Sequence, residues 1–352
     1  MSALTDKIVF LGTSGASPSE EASLPAVLVH LNGNYYLFDC GEDLQRNFVK
    51  SGAKLNKPTA VFVTHRHADH VIGLPGFIFR LALNERSEPL KIVGPPGLIE
   101  YAGCHFRTVG LQPPFHLVVT EIHPSEDDVV GGRLVRYERP GPDKQVVESL
   151  PISGRTVFEN SDAIVRASLG KHSVVNFQFA LVQKPRPGKF HPEVARELGV
   201  PEGRSWKHLQ EGRRIKLGGG EIDPIALGIV EPPVRGKVVV YTGDTRPHPE
   251  GIARLLEDLP FPVHYGEIDV LVHEAMYSTQ HARQAEQKGH TTAAEAVEVV
   301  KRLEDLGVRV KKLVLTHVST RYKDRSELLE EARKKAGSIN VQIASDLLQL
   351  PF

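Results

Sequence analysis

The chain has 352 residues, and its 40% hydrophobic content can form a sizeable core and excludes wholesale disorder. Lys and Arg number 43, as do Asp and Glu, so any nucleic-acid binding must come from a local patch rather than from net charge. Cys40 and Cys104 form no C-x-x-C pattern, so no disulfide framework is predicted. The N-terminus has no signal-peptide pattern, and no apolar stretch approaches the ~20 residues of a membrane span, so we expect a soluble, cytoplasmic protein.

Apolar runs in the first half of the chain predict short strands that alternate with turns and helices. Strands are predicted at residues 7–11, 26–31, 35–38, 60–63 and 92–93. Asn32 and Gly33 are typical of a type I′ hairpin turn. Helical patterns cover residues 44–51 and 71–83, the second with Gly73 and Gly76 in its first turns.

The stretch from Thr64 to His70 follows the strand at 60–63 and carries four side chains that can bind metal. His65 and His67 are two residues apart and can face one ion, whereas Asp69 and His70 can reach a second. Imidazole suits zinc and similar metals, and a carboxylate can bind metal or orient water. A surface loop with several histidines is the alternative, but such a dense group behind a buried strand favours a metal site.

The second half of the chain continues the alternation. Strands are predicted at residues 163–167, 177–182, 237–241, 268–272, 312–316 and 340–344, and helices at 292–306 and 326–335. Thr292 and Glu295 form a capping box at the start of the first of these helices, which Gly307 ends. Two β-rich halves flanked by helices predict an α/β fold, a four-layer αββα sandwich formed by residues 1–352 as a single domain.

Two segments depart from this alternation. Residues 126–160 are broken by Asp, Gly and Pro pairs, and we predict a surface insertion without chemistry. Residues 184–216 carry nine Lys or Arg against four Glu, together with the single tryptophan, Trp206, and we predict an inserted basic arm. A basic patch with an aromatic residue suits phosphate contacts and base stacking, while a solvated charged loop is the alternative.

Three residues at predicted strand ends of the second half can join the first metal-binding motif. They are His172, Asp244 and His317, and each can project to one rim of the sheets. Taken alone, His172 is better explained as a surface histidine. Its position in one ordered set with Asp244 and His317 favours a ligand instead.

The H-x-H-x-D-H spacing of residues 65–70 resembles the signature of the metallo-β-lactamase superfamily. Other stretches resemble the tRNase Z (RNase Z) family within it: residues 10–13 (F-L-G-T), 37–46 (L-F-D-C-G-E-x-x-Q-R, with Asp43 and Leu44 in place of Gly and Thr), 73–76 (G-L-P-G), 273–276 (like H-E-A-T), 290–292 (like H-S/T-T) and 316–322 (like T-H-I-S-x-R-Y). The resemblance covers nearly the whole chain apart from about 126–160. These stretches are far more specific than the metal motif, which lactamases, lactonases and glyoxalases share.

The resemblance implies two divalent ions per chain, with Zn²⁺ as the expected metal. One ion would be held by His65, His67 and His172, and the second by Asp69, His70 and His317, with Asp244 bridging. Two ions ~3.5–4 Å apart activate a water and clamp the phosphoryl oxygens of an in-line displacement. Hydroxide attack on precursor tRNA would then remove the 3′ trailer, giving a tRNA 3′-hydroxyl and a 5′-phosphorylated trailer.

The resemblance also implies catalytic roles for Asp69, His290 and Glu274. His290, oriented by Glu274, would donate a proton to the departing ribose 3′-oxygen or stabilise its charge. Asp69 belongs to the same set because its carboxylate can orient water as well as bind metal. The alternative for His290 is a polar residue that precedes a helix cap.

Family members carry a flexible basic arm at the position of residues 184–216 and clasp tRNA with it across a dimer. The resemblance therefore implies a homodimer and a tRNA-binding role for this arm. The residues that we predict to contact RNA are Lys184, Arg186, Lys189, Arg204, Trp206, Lys207, Arg213 and Arg214.

One loop departs from the family pattern. Many members carry P-x-K-x-R-N after the first glycine motif, but here Pro18 is followed by Ser19, Glu20 and Glu21, with acids where the basic residues would be. That loop lies near the RNA 3′ end in the family. We therefore expect relaxed rejection of precursors that already encode CCA.

Two other functions remain compatible with the sequence. A small-ester hydrolase of the same fold, such as a cyclic-nucleotide phosphodiesterase or an arylsulfatase-like enzyme, needs no basic arm, so residues 184–216 argue against it. A catalytically silent RNA- or protein-binding member would be free to lose ligands, and the complete ligand set argues against that alternative.

Overall fold

The computed structural model describes residues 6–110, 112–139, 145–152 and 154–352. Its helices are α1 (Leu44–Lys50), α2 (Ala68–Val71), α3 (Leu74–Leu83), α4 (Leu98–Val109), α5 (Pro192–Glu197), α6 (Arg204–Gln210), α7 (Pro249–Arg254), α8 (Ala282–Lys288), α9 (Ala293–Asp305) and α10 (Ser326–Ala336). Its strands are β1 (Lys7–Gly12), β2 (Ser14–Gly15), β3 (Ala26–Leu31), β4 (Asn34–Phe38), β5 (Pro58–Phe62), β6 (Leu90–Gly94), β7 (Leu117–His123), β8 (Arg133–Arg139), β9 (Gln145–Pro151), β10 (Thr156–Glu159), β11 (Ala163–Leu169), β12 (Phe177–Gln183), β13 (Ile215–Leu217), β14 (Gly220–Ile222), β15 (Val238–Tyr241), β16 (Glu267–Ile268), β17 (Val270–Glu274), β18 (Arg309–Val310), β19 (Leu313–Thr316), β20 (Val318–Ser319), β21 (Val341–Ile343) and β22 (Gln349–Pro351).

The chain separates into two compact units. The first, which we call the sandwich unit, contains the described residues up to Val182 together with Val238–Glu257 and Gly266–Phe352. The second, which we call the arm unit, contains Gln183–Lys237 and Asp258–Tyr265. The predicted basic arm of residues 184–216 lies within the arm unit.

The sandwich unit contains two main sheets. The larger has the strand order β22-β1-β3-β4-β5-β6-β7-β8-β9, and the smaller has the order β10-β11-β12-β15-β17-β19-β21. Strands β4 to β7 are parallel, as are β15, β17, β19 and β21. Because parallel strands end at the same edge, each sheet presents one edge where loops can gather functional side chains.

The core lies between the two sheets and on their outer faces. Phe10, Phe38 and Phe62 of the larger sheet and Phe177 and Phe179 of the smaller belong to one buried cluster. Alternate residues of the larger sheet pack instead with α1, α3 and α4 in a second buried cluster, and α7, α9 and α10 contact strands of the smaller sheet. This arrangement confirms the predicted αββα sandwich.

Most predicted elements are present, and one predicted helix is divided in two. Asn32 and Gly33 have φ values of 49° and 78°, as a type I′ turn requires, and α9 starts with the predicted capping box. The helix predicted at 71–83 is instead two helices, α2 and α3, with Gly73 between them. A side chain at Gly73 could not fit, because its Cβ would lie 2.1 Å from the Gly41 carbonyl oxygen.

The segment at 126–160, predicted as a surface insertion, contributes strands to the sandwich. Strands β8 and β9 extend the larger sheet beyond β7, and β10 begins the smaller sheet. Val129, Ile152 and Phe158 are buried in the cluster between the sheets. Strands β8 and β9 therefore lie at one side of the larger sheet, whereas Val129, Ile152 and Phe158 of the same segment lie in the core.

The arm unit has a small core of its own. Ala195, Val200, Leu209, Ile229 and Val230 are buried together, with Phe190 and Trp206 packed against them. The larger part of this cluster comes from α5, α6 and the loops around them.

Across the described residues, no helix combines the length and apolar character needed to cross a membrane.

Candidate metal centre

The predicted ligands follow strand ends of both sheets. His65 and His67 come after β5 of the larger sheet, and Asp69 and His70 lie on α2 directly beyond them. His172, Asp244 and His317 follow β11, β15 and β19 of the smaller sheet. The strand order therefore explains how residues separated by up to 252 positions, from His65 to His317, meet at one site.

The first ligand group consists of His65, His67, His172 and Asp244, whose ligand atoms lie within 4.8 Å of one another. His67 Nδ1 is 3.1 Å from His65 Nε2 and 3.2 Å from His172 Nε2. Asp244 Oδ2 lies 3.7 Å from His65 Nε2.

The second ligand group consists of Asp69, His70, His317 and again Asp244. Asp244 Oδ1 is 3.1 Å from Nε2 of both His70 and His317, and Asp69 Oδ2 is 3.4 Å from His317 Nε2. The two carboxylate oxygens of Asp244 therefore face different groups. A ligand that bridges two ions, as the family resemblance implies for Asp244, would need this position.

Hydrogen bonds on the outer nitrogens fix which ring nitrogens face the centre. His70 Nδ1 donates to Asp39 Oδ2 at 2.7 Å and His172 Nδ1 donates to the Gly289 carbonyl at 2.9 Å, because these oxygens can only accept. The Nε2 atoms therefore face the centre, where those of His70 and His172 lie 3.2 Å from ring nitrogens of His317 and His67. Burial lowers the pKa of His70, but the charges of Asp244 and Asp39 outweigh it and raise that pKa well above its usual value, so a metal ion would take the place of the proton on its Nε2.

The electrostatics of the site also fit a divalent cation. Burial lowers the pKa of His65, and the neighbouring His70 lowers it further, which keeps His65 in the neutral form that binds metal. Burial and the nearby His172 likewise lower the pKa of His67. Burial opposes ionisation of Asp244, but His317 and His70 outweigh it and hold the pKa of that carboxyl well below its usual range. Neutral imidazoles around a buried carboxylate form a divalent metal site.

Asp39 and Thr64 support the ligands and were not among the predicted site residues. The buried Asp39 carboxylate accepts hydrogen bonds from the Thr64 N–H at 2.8 Å, the Thr64 hydroxyl, the Tyr241 hydroxyl at 2.9 Å and His70. Because the Thr64 hydroxyl donates to Asp39, it accepts from His65 Nδ1 at 3.0 Å. One carboxylate thus orients a ligand of each group. The residues 37–42, which match the family pattern around Asp39, were the available sequence signal.

Comparison with known proteins places the chain in a family. It is 34% identical to a ribonuclease Z of Methanosarcina mazei, over 98% of this chain and 97% of the relative, and 36% identical to a ribonuclease Z of Archaeoglobus fulgidus, over 98% and 97%. The chain belongs to the ribonuclease Z family. It is therefore a hydrolytic, metal-dependent endoribonuclease.

Solved structures and one family model agree with the fold. Human tRNase Z, short form, has a TM-score of 0.62 at 22% identity, covering 98% of each chain. The metallo-β-lactamase fold protein YhfI of Bacillus subtilis has a TM-score of 0.58 at 15% identity, again over 98% of each. The family model for the anti-Pycsar protein Apyc1 matches residues 6–101, which contain the first ligand motif.

His290 and Glu274, the other residues that the ribonuclease Z resemblance singled out, lie beside the ligands. His290 Nδ1 is 3.2 Å from both oxygens of Glu274, which also accept the backbone N–H groups of Thr245 and Thr291. The His290 ring stacks on that of His317 with centroids 5.5 Å apart. Burial lowers the pKa of His290, but the Glu274 charge and hydrogen bond outweigh it and raise that pKa to about 9. The fixed carboxylate of Glu274 therefore holds Nδ1 of His290, and Nε2 lies on the opposite side of the imidazole ring.

The predicted RNA-contacting residues all lie in the arm unit, but their environments differ. The Trp206 indole N–H donates to the Val200 carbonyl at 3.1 Å, its ring packs on Phe190 with centroids 5.3 Å apart, and the Arg196 guanidinium lies over it. Trp206 is therefore built into the core of the arm unit. This packing gives it a structural task that the sequence did not reveal.

The basic side chains of the arm unit divide into paired and unpaired groups. Arg213 lies 3.1 Å from Glu211, and Arg214 contacts both Glu221 and Asp223. Arg204 and Lys207, both on α6, are exposed and have no ion pair among the described residues. Phosphate binding by Arg204 and Lys207 would therefore break no existing contact.

The loop around Glu20 and Glu21, which departs from the family pattern, borders a cavity near the metal centre. A cavity of about 480 Å³ is lined by Thr13, Ser14, Ser19, Glu20, Glu21, Ala22, Ser319, Thr320, Tyr322, Lys323, Arg325, Ser345 and Asp346. The loop reaches the ligands directly, since the Ala16 N–H donates to Asp69 Oδ2 at 3.0 Å and β2 pairs with β20 next to His317. Glu20 and Glu21 thus place acidic side chains in the wall of this cavity, together with the cations Lys323 and Arg325.

Proposed function

We propose that the protein removes the 3′ trailer of precursor tRNA by hydrolysing one phosphodiester bond. The observation that carries this proposal is the pair of ligand groups sharing Asp244, in a chain that aligns over 98% of its length with ribonuclease Z relatives. The products are a tRNA with a 3′-hydroxyl and a trailer with a 5′-phosphate.

Two divalent ions would occupy the site. His65, His67 and His172 would hold one ion, Asp69, His70 and His317 the other, and Asp244 would bridge them. We propose Zn²⁺, because imidazoles provide three of the four side chains of the first group and two of the four of the second, with carboxylates completing both. When bound, the ions supply charge neutralisation at the phosphate and lower the pKa of a nearby water.

The protein's own side chains hold water and move the proton. Asp69 is fixed by the Ala16 N–H through Oδ2, which leaves its other oxygen to orient the attacking water. The attacking water gives up a proton to solvent, its oxygen bonds to phosphorus, and the bond from phosphorus to the ribose O3′ breaks. His290 turns Nδ1 toward Glu274, so the proton on Nε2 can pass to O3′ as that oxygen departs.

The arm unit would bind the tRNA body through its unpaired basic side chains. Changing both Arg204 and Lys207 to Gln removes two phosphate contacts without touching the apolar cluster, so tRNA affinity should fall and its salt dependence should weaken. Hydrolysis of bis-p-nitrophenyl phosphate should stay unchanged. Arg213→Gln is the matched control, because Glu211 already neutralises that guanidinium. An unchanged salt dependence for the double variant would show that these two residues do not bind RNA.

We also propose that the enzyme is a cytoplasmic homodimer, by analogy with family members that clasp tRNA across a dimer. Its mass in solution, measured by light scattering, tests the oligomer directly. A particle with the mass of one chain at working concentration would reject the dimer.

The deciding experiment is incubation of the purified protein with end-labelled precursor tRNA, with and without a chelator. We expect release of the trailer that stops on chelation and returns with Zn²⁺. Asp244→Ala should abolish cleavage and lower the metal content, since it removes the carboxylate shared by both groups. Efficient hydrolysis of a small diester with no cleavage of precursor tRNA would favour a small-molecule phosphodiesterase instead.

A further inference from the structure

A cavity opens beside the metal centre and has a cationic wall. Its volume is about 770 Å³, and it is lined by His67, Lys171, His172, Ser173, Arg246, Glu286, Gln287, Lys288, Gly289 and His290. The lining therefore includes two metal ligands and the proposed proton donor. A volume of this size accepts a nucleotide.

The three cations of this wall have different tasks. Arg246 is fully engaged, because its guanidinium bonds both oxygens of Glu295 and the carbonyl oxygen of His290. Lys171 and Lys288 are exposed and, among the residues that the structure describes, neither ammonium has an ion pair or a hydrogen bond. Arg246 thus positions His290, and the two lysines can take an anion.

The backbone of both lysines is fixed relative to the centre. The Lys171 N–H donates to Thr245 Oγ1 at 2.9 Å, and its carbonyl accepts from the Arg246 N–H at 2.7 Å. Lys288 ends α8 just before Gly289, whose carbonyl accepts from the ligand His172. The backbone of each lysine is therefore held in place, and its ammonium group lies at the end of a long side chain.

We propose that Lys171 and Lys288 form a subsite for an RNA backbone phosphate next to the scissile one. This inference rests on the proposed function, since it assigns a second phosphate of the same substrate. RNA strands present phosphates at regular intervals, and unpaired ammonium groups bind them as point charges. Glu286 is the acidic side chain of the described lining and works against such binding.

The test combines protein variants with neutralised phosphates. Precursors carry a single methylphosphonate, which lacks the negative charge, at one position on either side of the cleaved bond. In the wild-type protein, one of these positions should lower kcat/KM. In the double variant Lys171→Gln and Lys288→Gln, the same methylphosphonate should not lower kcat/KM any further.

Other readouts bear on the same claim. With unmodified precursor, the double variant should lose roughly 5- to 20-fold in kcat/KM at low salt, and the log–log salt slope should fall by about 0.7, the value for one phosphate of a single strand. Hydrolysis of bis-p-nitrophenyl phosphate, which has a single phosphate, should be unaffected. Lys54→Gln, which removes an exposed lysine beyond α1, is the control, and Glu286→Gln should strengthen RNA binding.

Two outcomes are distinguishable. Methylphosphonate penalties that are the same in the wild type and the double variant at every position overturn the subsite. If the wild type does not cleave precursor tRNA, the proposed function fails by itself. The subsite is then judged by fluorescence anisotropy with a short single-stranded oligoribonucleotide, for which equal affinities of wild type and double variant reject it.

Discussion

Asp39 is the residue on which the orientation of both ligand groups depends. Its carboxylate accepts directly from His70 and, through the Thr64 hydroxyl, sets the proton position on His65. In Asp39→Asn the amide cannot accept all of these hydrogen bonds, so metal affinity should fall by roughly 10- to 100-fold. Metal titration of the purified variant measures this loss.

Asp43 provides the matched control for this change. Asp39 and Asp43 have φ values of 58° and 67°, in the left-handed region that Asn tolerates well, so both Asn variants should fold. Asp43 contacts Arg46 and belongs to neither ligand group. Equal metal affinity for the Asp39 and Asp43 variants would show that Asp39 does not tune the ligands.

His290→Ala should affect substrates according to their leaving group. The ribose 3′-oxygen needs a proton as it leaves, so cleavage of precursor tRNA should fall by roughly 10²- to 10⁴-fold. A nitrophenolate leaves without protonation, and its ester should lose much less. Metal content should not change, because His290 lies outside the predicted ligand sets. Parallel kinetics on both substrates measure the difference, and equal losses would indicate a structural role.

At the residue scale, the sequence indicated the candidate metal ligands but not the residues that hydrogen-bond to them. His65, His67, Asp69 and His70 are close in sequence, so the strand-and-turn context alone located the site. The contact between Asp39 and His70 joins residues 31 positions apart and exists only because β4 and β5 are neighbours. The match of residues 37–42 to the family pattern marks Asp39, but it does not indicate which ligands Asp39 contacts.

The loop between β2 and β3 should influence where the enzyme cuts. Glu20 and Glu21 line a cavity next to the second ligand group, where carboxylates repel an incoming phosphate. We expect that precursors with an encoded CCA are accepted and can be cut after the CCA. Changing both residues to Lys should restore rejection of CCA, with modest size because exposed charges are screened.

Product mapping at nucleotide resolution on precursors with and without CCA tests this loop. Glu42→Lys, on a different turn, controls for net charge. Exclusive cleavage at the discriminator base by the wild type, with strong inhibition by CCA, would show that the acidic loop has no effect on this choice.

Elements whose local pattern was strong were predicted well, and those defined by tertiary contacts were not. The helix interruption at Gly73 exists because the Gly41 carbonyl approaches the chain there, which no local periodicity encodes. For Trp206, an aromatic residue in a basic segment suggested RNA stacking, and its partly buried ring also packs against the core of the arm unit, a contact that the local sequence does not encode.

At the scale of the whole sandwich unit, the metal centre joins the two sheets. His65 and His67 follow a strand of the larger sheet, whereas His172, Asp244 and His317 follow strands of the smaller. An ion held by His67 and His172 would therefore cross-link the sheets in the folded state. Such ligands come together only on folding, so metal binding and folding are coupled.

Metal removal should lower the thermal stability of the enzyme. Zn²⁺ at about 1,000 times its Kd should stabilise the fold by about 4 kcal/mol, which for a chain of this size raises Tm by roughly 5–10 °C. The gain should shrink as pH falls and the imidazole ligands become protonated, because they must be neutral to bind metal. Calorimetry of chelated and reloaded protein measures the shift. The Asp244→Ala variant should show only a small increase in Tm on addition of Zn²⁺. An increase equal to that of the wild type would mean that the metal stabilises the protein from another site.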